Sequence, residues 1–334
     1  MTESVLHGSR RRIRRTRVAA AGFAAAALCA GTVAPALAVG DAGGEKPTIV
    51  LVHGAFADGS SWNGVIKQLE RQGYRVMAPA NPLRGLYSDS AYLASVLKSI
   101  KGPIVLAGHS YGGAVISTAA AGNPQVKSLV YISALMPDVG ESGMSLAGRF
   151  PSALGTATQA VSYRAGGGVS GTDLYIKRDK VHPVFAACLP ASQANLLAGT
   201  QRPVATTAFS ETAKVAAWKT IPSWALVARQ DMAVNPAQER FEAKRAHSHT
   251  VEIDSCHVSL VAQPGAVANL ILQAATAAGA ATTVATTTAS GSDRPALANT
   301  GSAWRSAAVT GLAGASVATG IAVVLLGRRL RRTH

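Results

Sequence analysis

Between residues 46 and 274, short apolar runs alternate with stretches whose apolar positions recur every three or four residues. "TIVLVH" (Thr48 to His53) is a continuous, β-branched run, the pattern of a strand buried on both faces. Trp62, Val65, Ile66 and Leu69 then follow with the spacing of one helix face. Ser60 or Ser61 can cap that helix, and Gly73 can end it. "RVMAPA" (Arg75 to Ala80) reads as the next strand. Leu93, Val96, Leu97 and Ile100 mark a second amphipathic helix closing near Gly102, and "PIVLAG" (Pro103 to Gly108) reads as a third strand. Further strands are expected at Ser128 to Ala134, Ser223 to Ala228 and Thr250 to Asp254. Strands alternating with helices predict an α/β fold: a mainly parallel sheet with helices on both faces. The rhythm breaks from about Pro137 to Thr220, which holds helical pieces, a glycine cluster (Gly166 to Gly168) and no strong strand. This stretch is expected to form a helical lid inserted over one end of the sheet.

The two ends follow other patterns. "RRRIRR" (Arg10 to Arg15), an apolar stretch from Val18 to about Val33 and "PALA" (Pro35 to Ala38) have the order of a secretory signal. Residues 1–38 are therefore expected to be removed on export, leaving 39–274 as the folded domain. From Ala274 to Ala296 the chain is rich in Thr, Ala and Ser and lacks bulky apolar residues, so residues 275–296 are expected to be a flexible stalk. Residues 307–327 are uncharged and long enough to cross a bilayer as one helix. Arg328, Arg329, Arg331 and Arg332 place the far end in the cytoplasm by the positive-inside rule.

Charge distribution narrows the choice of partner. The chain of 334 residues carries a formal net charge of +15, which on its own suggests nucleic acid. The excess is concentrated at the termini. The segment between them keeps 21 basic and 16 acidic residues, about +5, and a nucleic-acid role loses its support. Export permits a disulfide, and Cys188 and Cys256 are the two cysteines of the exported part. Their spacing does not show that they meet, and two separate, packed thiols are the simpler expectation.

Chemistry concentrates around "AGHSYGG". Gly108-His109-Ser110-Tyr111-Gly112 fits G-x-S-x-G, with a strand before it and a small-residue helix after it. In that context Ser110 is the expected nucleophile, carried on a sharp turn that the glycines permit. A serine hydroxyl needs a base. "DSCHVSLVAQP" supplies His257 just beyond the last strand, while His53 and His109 are tied into the first strand and the turn itself. The imidazole needs a carboxylate, and Asp231 in "ALVARQD" follows the penultimate strand. Asp254 is the competitor, too local to His257 to orient its ring. The expected oxyanion donors are the N–H groups of Tyr111 and of Ala55 in "HGAF". Phe56 and Trp218 are expected in the substrate pocket, with Tyr111 and Trp224 as further candidates. His247 and His249 form an H-x-H pair without an evident third ligand, so a strand entry is expected there and no metal.

"LVHGAFADGSSW", "LAGHSYGG", "VARQD" and "CHVSLVAQP" together resemble the α/β-hydrolase superfamily. Within it they are similar to the small esterases grouped with methyl-salicylate esterases and hydroxynitrile lyases. The resemblance implies the eight-stranded fold shortened at its N-terminus, a lidded pocket, a small-molecule ester substrate and no cofactor. Hydroxynitrile lyases of that group carry a Thr after the first-strand His and a Lys after the catalytic His. Gly54 and Val258 stand there instead, which favours ester hydrolysis. A same-triad lyase or haloperoxidase-like enzyme, and a non-catalytic surface binding protein, are the alternatives. "LANTG" (Leu297, Ala298, Asn299, Thr300, Gly301), the apolar span and the basic tail resemble a cell-wall sorting signal of the LAxTG type. That resemblance implies cleavage between Thr300 and Gly301 by a class E sortase and transfer to peptidoglycan, with the C-terminal helix in the membrane until then.

Overall fold

The computed structural model describes residues 45–289. The signal segment, the LANTG motif and the apolar span 307–327 lie outside the described residues. Within them, no helix is long and apolar enough to cross a membrane.

Six strands form one sheet in which every neighbouring pair is parallel. They are β1 (Thr48–Val52), β2 (Val76–Met77), β3 (Ile104–His109), β4 (Val126–Ile132), β8 (Ser223–Ala228) and β9 (His249–Ile253), in the order β2-β1-β3-β4-β8-β9. The apolar runs are the strands, as expected, and β1, β3 and β8 are buried along their whole length. Helices α1 (Asn63–Arg71), α2 (Leu86–Lys98) and α3 (Tyr111–Ala119) connect the first strands. Asp58, not Ser60 or Ser61, makes the capping contact at the start of the first helical segment. Its carboxylate accepts the Ser60 N–H at 2.8 Å, two residues before the position that spacing suggested. Gly73 ends α1 with φ +74°, in the left-handed region that glycine enters without strain.

Two apolar clusters cover opposite faces of the sheet. One packs Val50, Val52, Leu106 and Tyr131 with residues of α2, α3 and the insert. The other packs Ile49, Leu51, Val105 and Val130 with Trp62, Leu69 and α7 (Pro264–Ala289). Successive strand residues point to opposite faces, so two buried faces require an unbroken apolar strand.

The insert departs from expectation. Besides α4 (Gly143–Arg149) and α5 (Ala191–Thr200) it contains a three-stranded antiparallel sheet: β5 (Thr158–Arg164), β6 (Ser170–Ile176) and β7 (Val204–Ala205). The lid is therefore mixed, not helical. The glycine cluster is the turn of the β5–β6 hairpin, with Gly167 and Gly168 at φ +73° and +79°. Most of β5 is exposed, so it lacks the strong apolar signature of a buried strand. Arg84 ties this small sheet to the main body, meeting Asp173 at 2.7 Å and the Pro203 carbonyl at 3.1 Å.

The expected stalk also changes at its start. The final helix α7 continues to Ala289, through the first part of the segment 275–296. Ala274, Ala275 and Ala278 still pack on the second cluster. Alanine is the best helix former, so a helix nucleated by packing propagates into an Ala-rich tail without bulky apolar residues.

Candidate active site

The chain between β3 and α3 turns sharply at Ser110, whose φ is +52° and ψ −126°. A non-glycine residue there is strained, and close packing around the turn holds it. A Cβ on Gly108 would lie 2.5 Å from the Gly112 carbonyl oxygen, and one on Gly112 would lie 2.5 Å from the Val52 carbonyl oxygen. Ser110 is lifted at the end of β3, and Tyr111 opens α3. The Tyr111 N–H thus belongs to the first helical turn, whose amides have no carbonyl partner inside the helix.

His257 follows β9, and Asp231 follows β8. The two are buried together, with His257 Nδ1–H donating to Asp231 Oδ2 at 2.6 Å. The other oxygen, Asp231 Oδ1, accepts the N–H groups of Ala233 at 2.7 Å and Val234 at 2.9 Å. Those three donors fix the carboxylate in orientation. Asp254 takes no part in this arrangement. Its carboxylate is exposed and pairs with Arg229 at 2.7 Å.

Two further histidines, both set aside as bases by their position in the sequence, buttress the site. His109 Nε2–H donates to the backbone carbonyl of His257 at 3.0 Å, and the rings lie 4.7 Å apart. Burial holds the His109 pKa well below the usual imidazole range, so it acts here as a neutral donor. His53 Nε2 accepts the Asn81 N–H at 2.9 Å, which puts the proton on Nδ1, where it is donated to the Gly54 carbonyl at 2.9 Å. Asn81 Nδ2 in turn donates to the His53 carbonyl at 3.0 Å. This clamp fixes the loop that carries Ala55 and Phe56. Nothing local to "HGAF" points to Asn81, which lies 28 residues away.

Ser110 and His257 open onto one pocket of about 340 Å³, also lined by Ala55, Phe56, Phe185 and Phe209. Its wall is otherwise Leu, Met, Ala, Val, Gly and a few neutral polar residues, and among the described residues no Lys, Arg, Asp or Glu lines it. Phe185, from the lid, stands edge-on to Phe56 at 6.2 Å and 4.9 Å from the His257 ring. Phe56 is among the residues that line this pocket. Trp218 is not. It is buried elsewhere, donating Nε1–H to the Pro137 carbonyl at 3.2 Å, because the lid leaves and rejoins the sheet there. Trp224 is core within β8 and stacks on His249, which opens β9. The Tyr111 side chain also points away from the pocket lining. Its buried hydroxyl donates to Asp89 at 2.9 Å, and burial raises its pKa.

Cys188 and Cys256 are joined in a disulfide, contrary to the expectation of two free thiols. Cys188 comes from the lid, three residues after Phe185, and Cys256 directly precedes His257. Only the folded lid brings the two together across 68 residues of chain. Loop-closure entropy for a bridge of that span gives a loss of about 4 kcal/mol when it is removed. A Cys188→Ser/Cys256→Ser protein is expected to show that loss in urea unfolding. An unchanged midpoint and slope would show that the bridge adds no stability.

The alpha/beta hydrolase family model matches residues 49–270. The chain belongs to this family. It is similar to alpha/beta hydrolase nvfD of Aspergillus novofumigatus, 29% identical over 254 residues, covering 69% of this chain and 97% of that protein. The carbendazim hydrolyzing esterase of a Nocardioides species is 34% identical over 110 residues, 29% of this chain and 46% of that protein. Among solved structures, polyneuridine aldehyde esterase superposes with a TM-score of 0.60 at 20% identity, covering 69% of this chain and 99% of that one. That likeness concerns the fold.

Proposed function

We propose that this alpha/beta hydrolase is a serine esterase that cleaves small, uncharged carboxylic esters through an acyl-enzyme. The observation that carries the reading is the buried His257–Asp231 pair beside a pocket that Ser110 also lines. Ser110 Oγ attacks the ester carbonyl as His257 takes its proton, and Asp231 holds the imidazole and balances its charge. The Ala55 and Tyr111 amides hold the oxyanion, His257 returns the proton to the departing alcohol, and a water activated by His257 then releases the acid. The pocket wall without formal charges favours neutral, apolar substrates, since an ionised one would be desolvated without a counter-charge. The carbendazim hydrolyzing esterase among the similar proteins supports the same reaction class.

The lyase alternative has less support. A Cβ at position 54 would lie 2.6 Å from the Ser110 Cβ, so the threonine of hydroxynitrile lyases has no room here. The reading is tested with p-nitrophenyl esters of increasing acyl length and a fluorophosphonate probe. Turnover of short and medium esters together with Ser110 labelling is expected. A folded protein that neither reacts with the probe nor turns over any ester overturns it.

Export and display on the cell wall complete the proposal. The disulfide fits an oxidising compartment, and the terminal segments carry the signal and LANTG patterns. Retention of the protein on intact cells, with release by a muramidase and not by detergent, is expected. Recovery of the full-length chain in the cytosol would refute it.

A further inference from the structure

A second carboxyl lies against the triad. Glu239 sits on α6 (Pro236–Arg245), the helix that follows the Asp231 turn, and only 3% of it is exposed. Its Oε2 accepts the N–H of Ala228, the last residue of β8, at 3.1 Å. The charges that act on it come from Asp231, on the turn, and from Glu242, one helical turn further along α6. No described ion pair includes it. Arg240, the next residue, is turned outward onto Glu252 at 2.8 and 2.9 Å, and Arg245 is turned to Glu141.

Two neighbouring buried carboxyls, with no Lys or Arg paired to either among the described residues, do not both ionise, and hydrogen-bond donors decide which one keeps the proton. Asp231 receives three donors: His257 Nδ1–H and the N–H groups of Ala233 and Val234. Glu239 receives one. Asp231 is therefore the carboxylate and Glu239 the acid. The remaining oxygen agrees: Glu239 Oε1 is buried, and no donor faces it. A charged oxygen there would be desolvated and unpaired. An oxygen that carries a proton needs an acceptor instead, and Asp231 is beside it. Burial and the Asp231 charge both push the Glu239 pKa well above the ordinary carboxyl range.

We infer that Glu239 is a positioning residue of the triad, which donates its O–H to the Asp231 carboxylate while its other oxygen anchors the end of β8. The inference rests on Asp231 serving as the acid of a working triad. An added donor stabilises the carboxylate and fixes its angle to His257.

Glu239→Gln keeps a donor and an acceptor of the same size and removes the titration. Glu239→Leu keeps the volume and removes both. The parent and both variants are compared by kcat and KM for one p-nitrophenyl ester across pH, and by Tm at pH 5.5 and 8.5. Glu239→Gln is expected to hold kcat within roughly twofold, and Glu239→Leu to lose roughly tenfold in kcat with little change in KM. The acid limb of kcat/KM is expected to move upward in Glu239→Leu alone, because a less restrained Asp231 favours protonated His257.

The Tm comparison reads the proton directly. Unfolded Glu239 ionises near its ordinary value of 4.5 while the folded residue stays protonated to higher pH, so the unfolded state binds fewer protons and stability falls as pH rises. Glu239→Gln removes that fall, and its Tm relative to the parent is expected to climb from pH 5.5 to 8.5. Glu242 is present in both proteins and cancels. A flat Tm difference overturns the proton on Glu239, and this arm stands even if Glu239→Leu fails to fold. Equal kcat and equal acid limbs in the two variants overturn the positioning role. Loss of ester turnover in all three proteins would count against the esterase reading, while the Tm arm would still decide the proton.

Discussion

Ser110→Ala is expected to lower kcat for a p-nitrophenyl ester by about a million-fold, with KM little changed. In the proposed mechanism the hydroxyl oxygen forms the acyl bond, and no remaining group can replace it. The backbone around it is closely held, and alanine can occupy the same strained turn (φ +52°) as serine. The variant should therefore fold with the parent's Tm, and a low rate cannot be blamed on the elbow. What remains is the stabilisation of the oxyanion by the amides, of the order of a thousand-fold over water. Stopped-flow assay of both proteins, with a circular dichroism melt of each, measures this. Retention of even a tenth of the parent rate would remove Ser110 as nucleophile.

Asp231→Asn is expected to cost about ten-thousand-fold in kcat. Asp231 Oδ2 accepts from His257 Nδ1 at 2.6 Å, and Oδ1 accepts from two amides. An asparagine can keep only one acceptor oxygen. If the amides of Ala233 and Val234 retain it, the NH2 group faces His257 and forces the proton onto Nε2, the nitrogen that must accept from Ser110. The base is then in the wrong tautomer. Because the pair is fully buried, no water substitutes for the lost acceptor. The loss should therefore show in kcat, with the fold retained by circular dichroism. Full activity in a folded Asp231→Asn protein would return Asp254 to consideration.

The proposed triad is legible in the chain because each member sits at the end of a strand, and strands are written in the sequence as unbroken apolar runs. Ser110 announces itself through local glycines, and His257 and Asp231 through their place after the last two strands. The exposed hairpin β5–β6 is not legible. β5 faces solvent for most of its length and β6 is only half-buried, so no strong apolar alternation marks the pair, and a glycine cluster reads equally well as a loop. Trp218 shows a different limit. An aromatic buries as readily in core as in a pocket, and the Trp218 indole finds its partner in the Pro137 carbonyl.

The sequence by itself determined the parallel α/β sheet, the elbow at Ser110 and the places of Asp231 and His257 after the last two strands. These depend on local periodicity and on residues adjacent in the chain. Tertiary structure alone decided the Cys188–Cys256 bridge, the His53–Asn81 clamp, the support of His257 by His109 and the pairing of Glu239 with Asp231. Each joins groups from separate elements, and most span tens of residues. Their proximity is a product of how the faces pack, and their protonation follows from burial and from which donors the packing brings within reach.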